Sequence, residues 1–232
     1  MRYRAIFFDA GETLVHPAPS FPELFAEVVT REGQSVSPDD VRAASRAVTD
    51  RFSEAARANL LWTTSAERSR AFWLSVYDLM LEALDLPNAN GLRETLYDAF
   101  TDRSNYALFD DVRPVLERLA DRGHALGLVS NFEAWLDELL ADLGVRDAFA
   151  VRVISGIEGI EKPDPRIYEL ALARAGVAAT DSVYIGDNPE FDVDPPAALG
   201  MFTVLVDRRE RHASHTGARV TDLRDLPAAL DG

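Results

Sequence analysis

The chemistry-bearing residues of this chain fall into four clusters. They are Asp9 with Thr13 in Asp9-Ala10-Gly11-Glu12-Thr13, the pair Ser130-Asn131, Lys162 in Glu161-Lys162-Pro163-Asp164-Pro165, and Gly186-Asp187 with Asp192. The chemistry they offer is that of carboxylates and hydroxyls with one ammonium to balance them. Ala5 to Phe8 is an apolar run long enough for a buried strand and too short for a helix. Asp9 ends it, where open α/β sheets place their active sites. Gly11 lets the backbone turn sharply and approach a ligand. The plain alternative is that Asp9 only opens a loop and caps the next turn. Lys162 stands out by count: 24 residues are Lys or Arg and this is the single Lys. In a chain biased toward Arg, one Lys marks a position where a planar guanidinium will not serve.

Composition narrows the function. The formal net charge of −15 and pI of about 4.6 argue against nucleic acid and anionic membranes as partners. An anionic substrate would therefore need local positive charge from a cation, a Lys or a helix N-terminus. Mean hydropathy of −0.11 and 47% apolar residues are ordinary for a soluble globular chain of 232 residues. No apolar run approaches a membrane span. Met1-Arg2-Tyr3-Arg4 leads straight into the first strand, which leaves no room for a signal peptide. With no cysteine there is no disulfide framework and no thiolate metal site. The expected location is cytoplasmic. The sequence carries no signal for oligomeric state.

The elements that must position these clusters follow from periodicity. His16-Pro17-Ala18-Pro19-Ser20 reads as a turn-rich link. From Phe21 to Asp102 the pattern is helical only, with starts at Ser37-Pro38 and Ser65 and a break at 87–91. Its aromatic residues read as bundle core. Trp62, Arg57 and Arg68 could touch a substrate, but core or surface roles are the commoner ones. From Val112 strands and helices alternate: a helix over 114–122, a strand over 125–129, a helix over 132–143, a strand over 149–154 and a helix over 164–175. A strand over 182–185, a short helix over 195–199, a strand over 202–206, a charged loop over 207–216, a weak strand near Val220 and a helix over 223–230 complete it. Alternation of this kind predicts a parallel sheet covered on both faces. The four clusters then lie at strand ends or adjoining loops, along one edge of that sheet.

In order and spacing the clusters resemble those of the haloacid dehalogenase-like hydrolase superfamily, subfamily I with a helical C1 cap. The resemblance covers the whole chain. It implies a Rossmann-like doubly wound parallel α/β core over 1–15 and 105–232, and an inserted all-helical cap over 16–104. It casts Asp9 as the nucleophile that becomes an aspartyl-phosphate. Thr13 and Ser130 would hold the motif and bind phosphoryl oxygens, with help from the amide of Asn131. Lys162 would steady the nucleophile and the transferring charge. Asp187 would ligate Mg²⁺ together with Asp9 and the Gly11 carbonyl, and Asp192 would bind metal through water or orient Lys162. Mg²⁺ prefers oxygen ligands, and phosphoryl transfer is largely positioning plus charge stabilisation. Ser130 as a mere helix cap and Asp192 as a mere helix-start acid are the plain alternatives.

The pattern is broken at one place. Phosphatases of the family carry a second Asp two residues after the nucleophile, which protonates the leaving group; here that residue is Gly11, followed by Glu12 where the family usually has Gly. General acid–base catalysis is worth about two to four powers of ten. Three outcomes follow: Glu12 or His16 supplies the proton, the substrate needs no acid, or the protein binds a phosphorylated ligand or a protein and turns over poorly. Metal-free 2-haloacid dehalogenation is the other chemistry of the superfamily; it also lacks the second Asp, but usually has Tyr there. The expected activity is a Mg²⁺-dependent phosphatase acting on a small phosphorylated substrate.

Overall fold

In the computed structural model the described residues are 2–57 and 61–231. The chain divides into two compact units, Met1–Val15 with Leu108–Gly232, and His16–Ala107.

The first unit is built on a six-stranded sheet. Its strands are β1 (Ala5–Phe8), β4 (Ala125–Ser130), β5 (Val151–Ile154), β6 (Ser182–Gly186), β7 (Phe202–Val206) and β8 (Ala218–Val220), in the order β5-β4-β1-β6-β7-β8. Every neighbouring pair is parallel. All four residues of β1 are buried, as a central parallel strand covered on both faces requires. Ala5 and Phe7 pack on one face with Val129, Val153 and Tyr184, under Ile167, Tyr168 and Ala171 of the helix Pro165–Ala175. The sheet is covered further by helices over Val112–Asp121, Leu136–Asp142, Ser155–Glu158, Asp194–Ala198 and Leu226–Asp231. Chain order reverses across β1: β4 and β5 lie on one side, β6 to β8 on the other. Sites gather at such a switch point, outside the carboxyl ends of the strands.

The second unit is helical: α1 (Phe21–Arg31), α2 (Pro38–Arg57), α3 (Ala66–Ala83) and α4 (Leu92–Thr101). Following them in the first unit, the helices listed above are α5 to α10, with Pro165–Ala175 as α8. Ser37 and Ser65 accept hydrogen bonds from the amides of Asp40 and Arg68, so both helix starts are capped as the sequence indicates. Phe100 stacks on Phe21 and Tyr77, and Trp62 stacks on Phe72. Trp62 is thus core of the unit, and Arg68 reaches Thr64. The Arg57 side chain lies outside the described residues.

Three local expectations differ from the structure. The link at His16-Pro17 belongs to a short strand, β2 (Val15–Pro17), paired with β3 (Tyr106–Leu108). Its prolines read as turn residues, but an edge strand of a two-stranded ribbon accommodates Pro. The helix expected from Phe132 begins at Leu136, because Phe132 is held elsewhere: its amide donates to the Ser155 hydroxyl and its carbonyl accepts from Gly156. A wide π-type turn, Pro189–Val193, precedes the helix expected near Pro195.

Gly127 of β4 lies opposite Phe7, and a Cβ there would sit 2.5 Å from the Phe7 ring. Gly127→Ala is expected to lower stability by about 1–3 kcal/mol through overpacking. An unchanged denaturant midpoint would contradict this reading of the β1–β4 packing.

Candidate active site

Asp9 leaves the central strand with its amide donating to the Ile185 carbonyl at 2.8 Å. Its side chain is buried. Two donors reach the same oxygen, Oδ1: the Ser130 hydroxyl at 2.9 Å and Lys162 Nζ at 2.8 Å. Ser130 ends β4, the strand beside β1, so the hydroxyl arrives by register. It holds Asp9 and does not cap a helix.

Lys162 is 3% exposed and also donates to Asp192 Oδ1 at 2.6 Å. The remaining Asp192 oxygen accepts from the Asn188 amide at 3.0 Å. The wide turn over Pro189–Val193 brings Asp192 back beneath β6, as π-type turns often do at functional sites. Gly186 makes room for it: a Cβ at Gly186 would lie 2.3 Å from the Asp192 carboxyl carbon. Of the two roles expected for Asp192, the geometry favours orienting Lys162. Asn131 clasps the same lysine by its main chain. Its side-chain amide donates to the Lys162 carbonyl at 2.8 Å, and its side-chain oxygen accepts from the Lys162 amide at 2.6 Å. The Asn131 side chain is committed to positioning Lys162, so the amide expected to help bind a phosphoryl group is its backbone N–H.

The charge balance of this cluster is lopsided. Asp9, Asp187 and Asp192 each offer a carboxylate oxygen within 4.8 Å of the others, against the one ammonium of Lys162. Burial alone would favour neutral Lys162, but the Asp192 and Asp9 carboxylates outweigh it and raise its pKa above the ordinary lysine range. Burial pushes the Asp192 carboxyl up to about 6, against the pull of Lys162 and with the push of Asp9. Asp187 is raised well above the usual carboxylate range, by burial first and then by the charges of Asp192, Asp9 and Glu12. A divalent cation relieves this mutual repulsion, and an all-oxygen donor set suits Mg²⁺. The residues fit such an ion, with Asp9 and Asp187 offering oxygen ligands. The bridge between Gly11 and Val15 uses the Ala10 carbonyl and the Glu12 amide and leaves Gly11's own carbonyl out.

Thr13 is fully buried, and its hydroxyl has no hydrogen-bond partner. Its carbonyl accepts from Arg208, a residue the sequence reading did not single out, because one Arg among 23 carries no signal by type. Glu12 stands in the left-handed region with φ +55°, a conformation that suits the Gly usual there and costs another residue about 1–2 kcal/mol. Its carboxylate pairs with Arg209 at 2.7 Å.

Comparison with known proteins agrees with this geometry. The family model described as haloacid dehalogenase-like hydrolase matches residues 3–200. The Homo sapiens haloacid dehalogenase-like hydrolase domain-containing protein 3 is 28% identical over 213 residues, 89% of this chain and 82% of that protein. A phosphoserine phosphatase of Thermus thermophilus is 36% identical over 138 residues, 58% of this chain and 55% of its own length. A solved L-2-haloacid dehalogenase superposes over the whole of both chains with a TM-score of 0.74 at 24% identity, which shows the shared fold.

The raised carboxyls give a pH signature. Asp192 and Asp187 hold their protons more tightly folded than unfolded, so their stabilising contribution is complete below pH ~4; that of Asp192 is lost as pH rises through about 6, and that of Asp187 is lost in the same direction. A cation held by Asp9 and Asp187 would offset the charge those protons otherwise neutralise. Mg²⁺ is therefore expected to raise Tm at pH 7.5 and scarcely at pH 5; equal shifts at both, or none at pH 7.5, would contradict Asp9 and Asp187 as ligands. By its family model and the extent of its relatives, the chain belongs to the haloacid dehalogenase-like hydrolases.

Proposed function

We propose that this hydrolase is a Mg²⁺-dependent phosphatase for a small phosphorylated metabolite, acting through an aspartyl-phosphate on Asp9. The observation that carries the reading is the surplus of negative charge: three clustered carboxylates for one ammonium. A phosphate dianion approaches Asp9 only if that charge is offset. Dehalogenation of a monoanionic acid has no use for an acid cluster of this kind.

In the proposed reaction Asp9 forms a bond to phosphorus as the bond to the leaving oxygen breaks. Ser130 and Lys162 keep the Asp9 carboxylate aimed, and Lys162 offsets charge on the transferring group. When bound, Mg²⁺ supplies charge neutralisation between carboxylates and phosphoryl oxygens. Water then hydrolyses the acyl phosphate and releases inorganic phosphate. The second unit, residues 16–107, acts as the cap of the family on this reading, excluding water during transfer.

The leaving group decides the rest. Gly11 has no side chain to protonate it, and Glu12 is committed to Arg209. Substrates with good leaving groups, such as acyl or phenolic phosphates, are therefore favoured. A 2-haloacid substrate is the second reading, favoured by the same vacancy at Gly11, since halide leaves unprotonated.

Hydrolysis of an aryl phosphate is expected to require Mg²⁺ and to vanish in Asp9→Asn. A folded wild type without such activity, but releasing chloride from 2-haloacids without metal, would overturn the phosphatase reading in favour of the second. Around Gly11 a Cβ meets nothing within 4 Å. Gly11→Asp is thus expected to fit and to raise alkyl phosphate turnover relative to aryl by about 10²-fold. No change in that ratio would show that a missing acid is not what limits the enzyme. Glu12→Gln is expected to leave the ratio as it is; a drop in alkyl turnover would make Glu12 the acid.

A further inference from the structure

Arg208 follows β7 in sequence and is distant from Asp9 along the chain, yet both terminal nitrogens of its guanidinium are engaged, while its buried Nε–H has no hydrogen-bond partner. One pair of N–H groups grips both oxygens of Asp111, at 2.8 and 2.9 Å. Another N–H bond runs from Nη2 to the Thr13 carbonyl at 2.8 Å. The guanidinium plane lies over the Phe109 ring with its carbon 3.8 Å from the centroid. Asp111 is buried and also accepts from the Leu223 amide at 2.8 Å. The Phe109 amide donates to the Leu14 carbonyl at 3.1 Å. Two separate stretches, at 109 and 208, thus bond directly to Thr13-Leu14, and Leu223 reaches them through Asp111.

The loop's own backbone bonds tie it to itself. The amides of Leu14 and Val15 both donate to the Ala10 carbonyl, and that of Glu12 to the Val15 carbonyl. Those bonds fix the loop's shape. Its placement relative to the sheet depends on Asp9 at one end, on the half-exposed Glu12–Arg209 ion pair at its middle and, at the other end, on the buried bonds from Arg208 and Phe109. A loop placed 1 Å wrong can cost about 10²-fold in rate.

We propose that Arg208 is a positioning residue for catalysis: through the Thr13 carbonyl it locks the Gly11–Thr13 backbone to the buried Asp111 and Phe109, and so sets where the nucleophile loop stands. The inference rests on Asp9 being the nucleophile. Lys cannot replace Arg208, because an ammonium lacks the flat fork that grips Asp111, Thr13 and Phe109 at once.

The test uses the full chain with Arg208→Lys and Arg208→Ala. In Arg208→Lys, kcat for an aryl phosphate is expected to fall about 10- to 100-fold with KM within about threefold of wild type. In Arg208→Ala, methylguanidinium is expected to restore part of kcat while methylammonium at equal strength does not. Hydrogen exchange at the amides of Glu12, Leu14 and Val15 is expected to quicken in both variants, without a matching change in β1. Wild-type protection of those amides in a folded Arg208→Lys, or a loosened loop with undiminished kcat, would overturn the proposal. If wild type itself is inactive on aryl phosphates, the phosphatase reading has failed; exchange then judges the lock alone, unchanged protection refuting it and lost protection upholding it.

Discussion

The structure of the site depends on one buried ammonium. Lys162 stands between Asp9 and Asp192 with almost no access to water. Removing three charged groups from solvent is costly, and their mutual attraction offsets that cost only when the geometry is good. Much of the surrounding chain serves that geometry. Asn131 holds the main chain of Lys162 from both sides, and Tyr184 lies under its ammonium at 5.7 Å from the ring centroid. The Tyr184 hydroxyl is itself bonded to the Val129 carbonyl, and the Tyr168 hydroxyl to the Phe191 carbonyl beside Asp192. Gly186 leaves the space in which Asp192 sits. Asp187 is the carboxylate of the cluster to which Lys162 makes no hydrogen bond, and the proposed Mg²⁺ would offset its charge.

What was legible in the sequence was what repeats or stands alone. Apolar runs located the central strands β1, β4, β6 and β7, because parallel strands covered on both faces are continuous rather than alternating; the edge strand β8, Ala-Arg-Val, gave only a weak signal. Serine before a periodic stretch marked two helix starts. Lys162 was visible because nothing else in the chain is lysine. The partners of each side chain were not legible, since a contact between residues far apart leaves no trace in either neighbourhood. The clasp that the Asn131 side chain makes on the main chain of Lys162 was not legible. Phe132 looked helical and is hooked by Ser155, a residue 23 positions away. Arg208 was hidden among arginines.

Gly11 and Glu12 share one local logic. The backbone at Glu12 takes a left-handed conformation that glycine would adopt freely, while Gly11 occupies a position where a side chain would fit. Relative to the family pattern, the flexible residue and the side chain have exchanged places. The turn keeps its shape, but the carboxylate that results is carried to Arg209 rather than to the reacting oxygen. On the proposed reading, an exchange that is conservative in composition removes the acid while the turn keeps its shape.

The register of three strands has a consequence of its own. Phe8, the residue before Asp9, lies level with Leu128 on one side and Ile185 on the other. Ser130 and Asp187 therefore reach Asp9 from ladders that share a single reference line. Side chains alternate faces along a strand, so inserting or deleting one residue in β1, β4 or β6 would turn a whole row away from its partners. The helices and loops of such a protein can lengthen and shorten over evolutionary time; these three strands are fixed in length, and the site is inherited or lost as one piece.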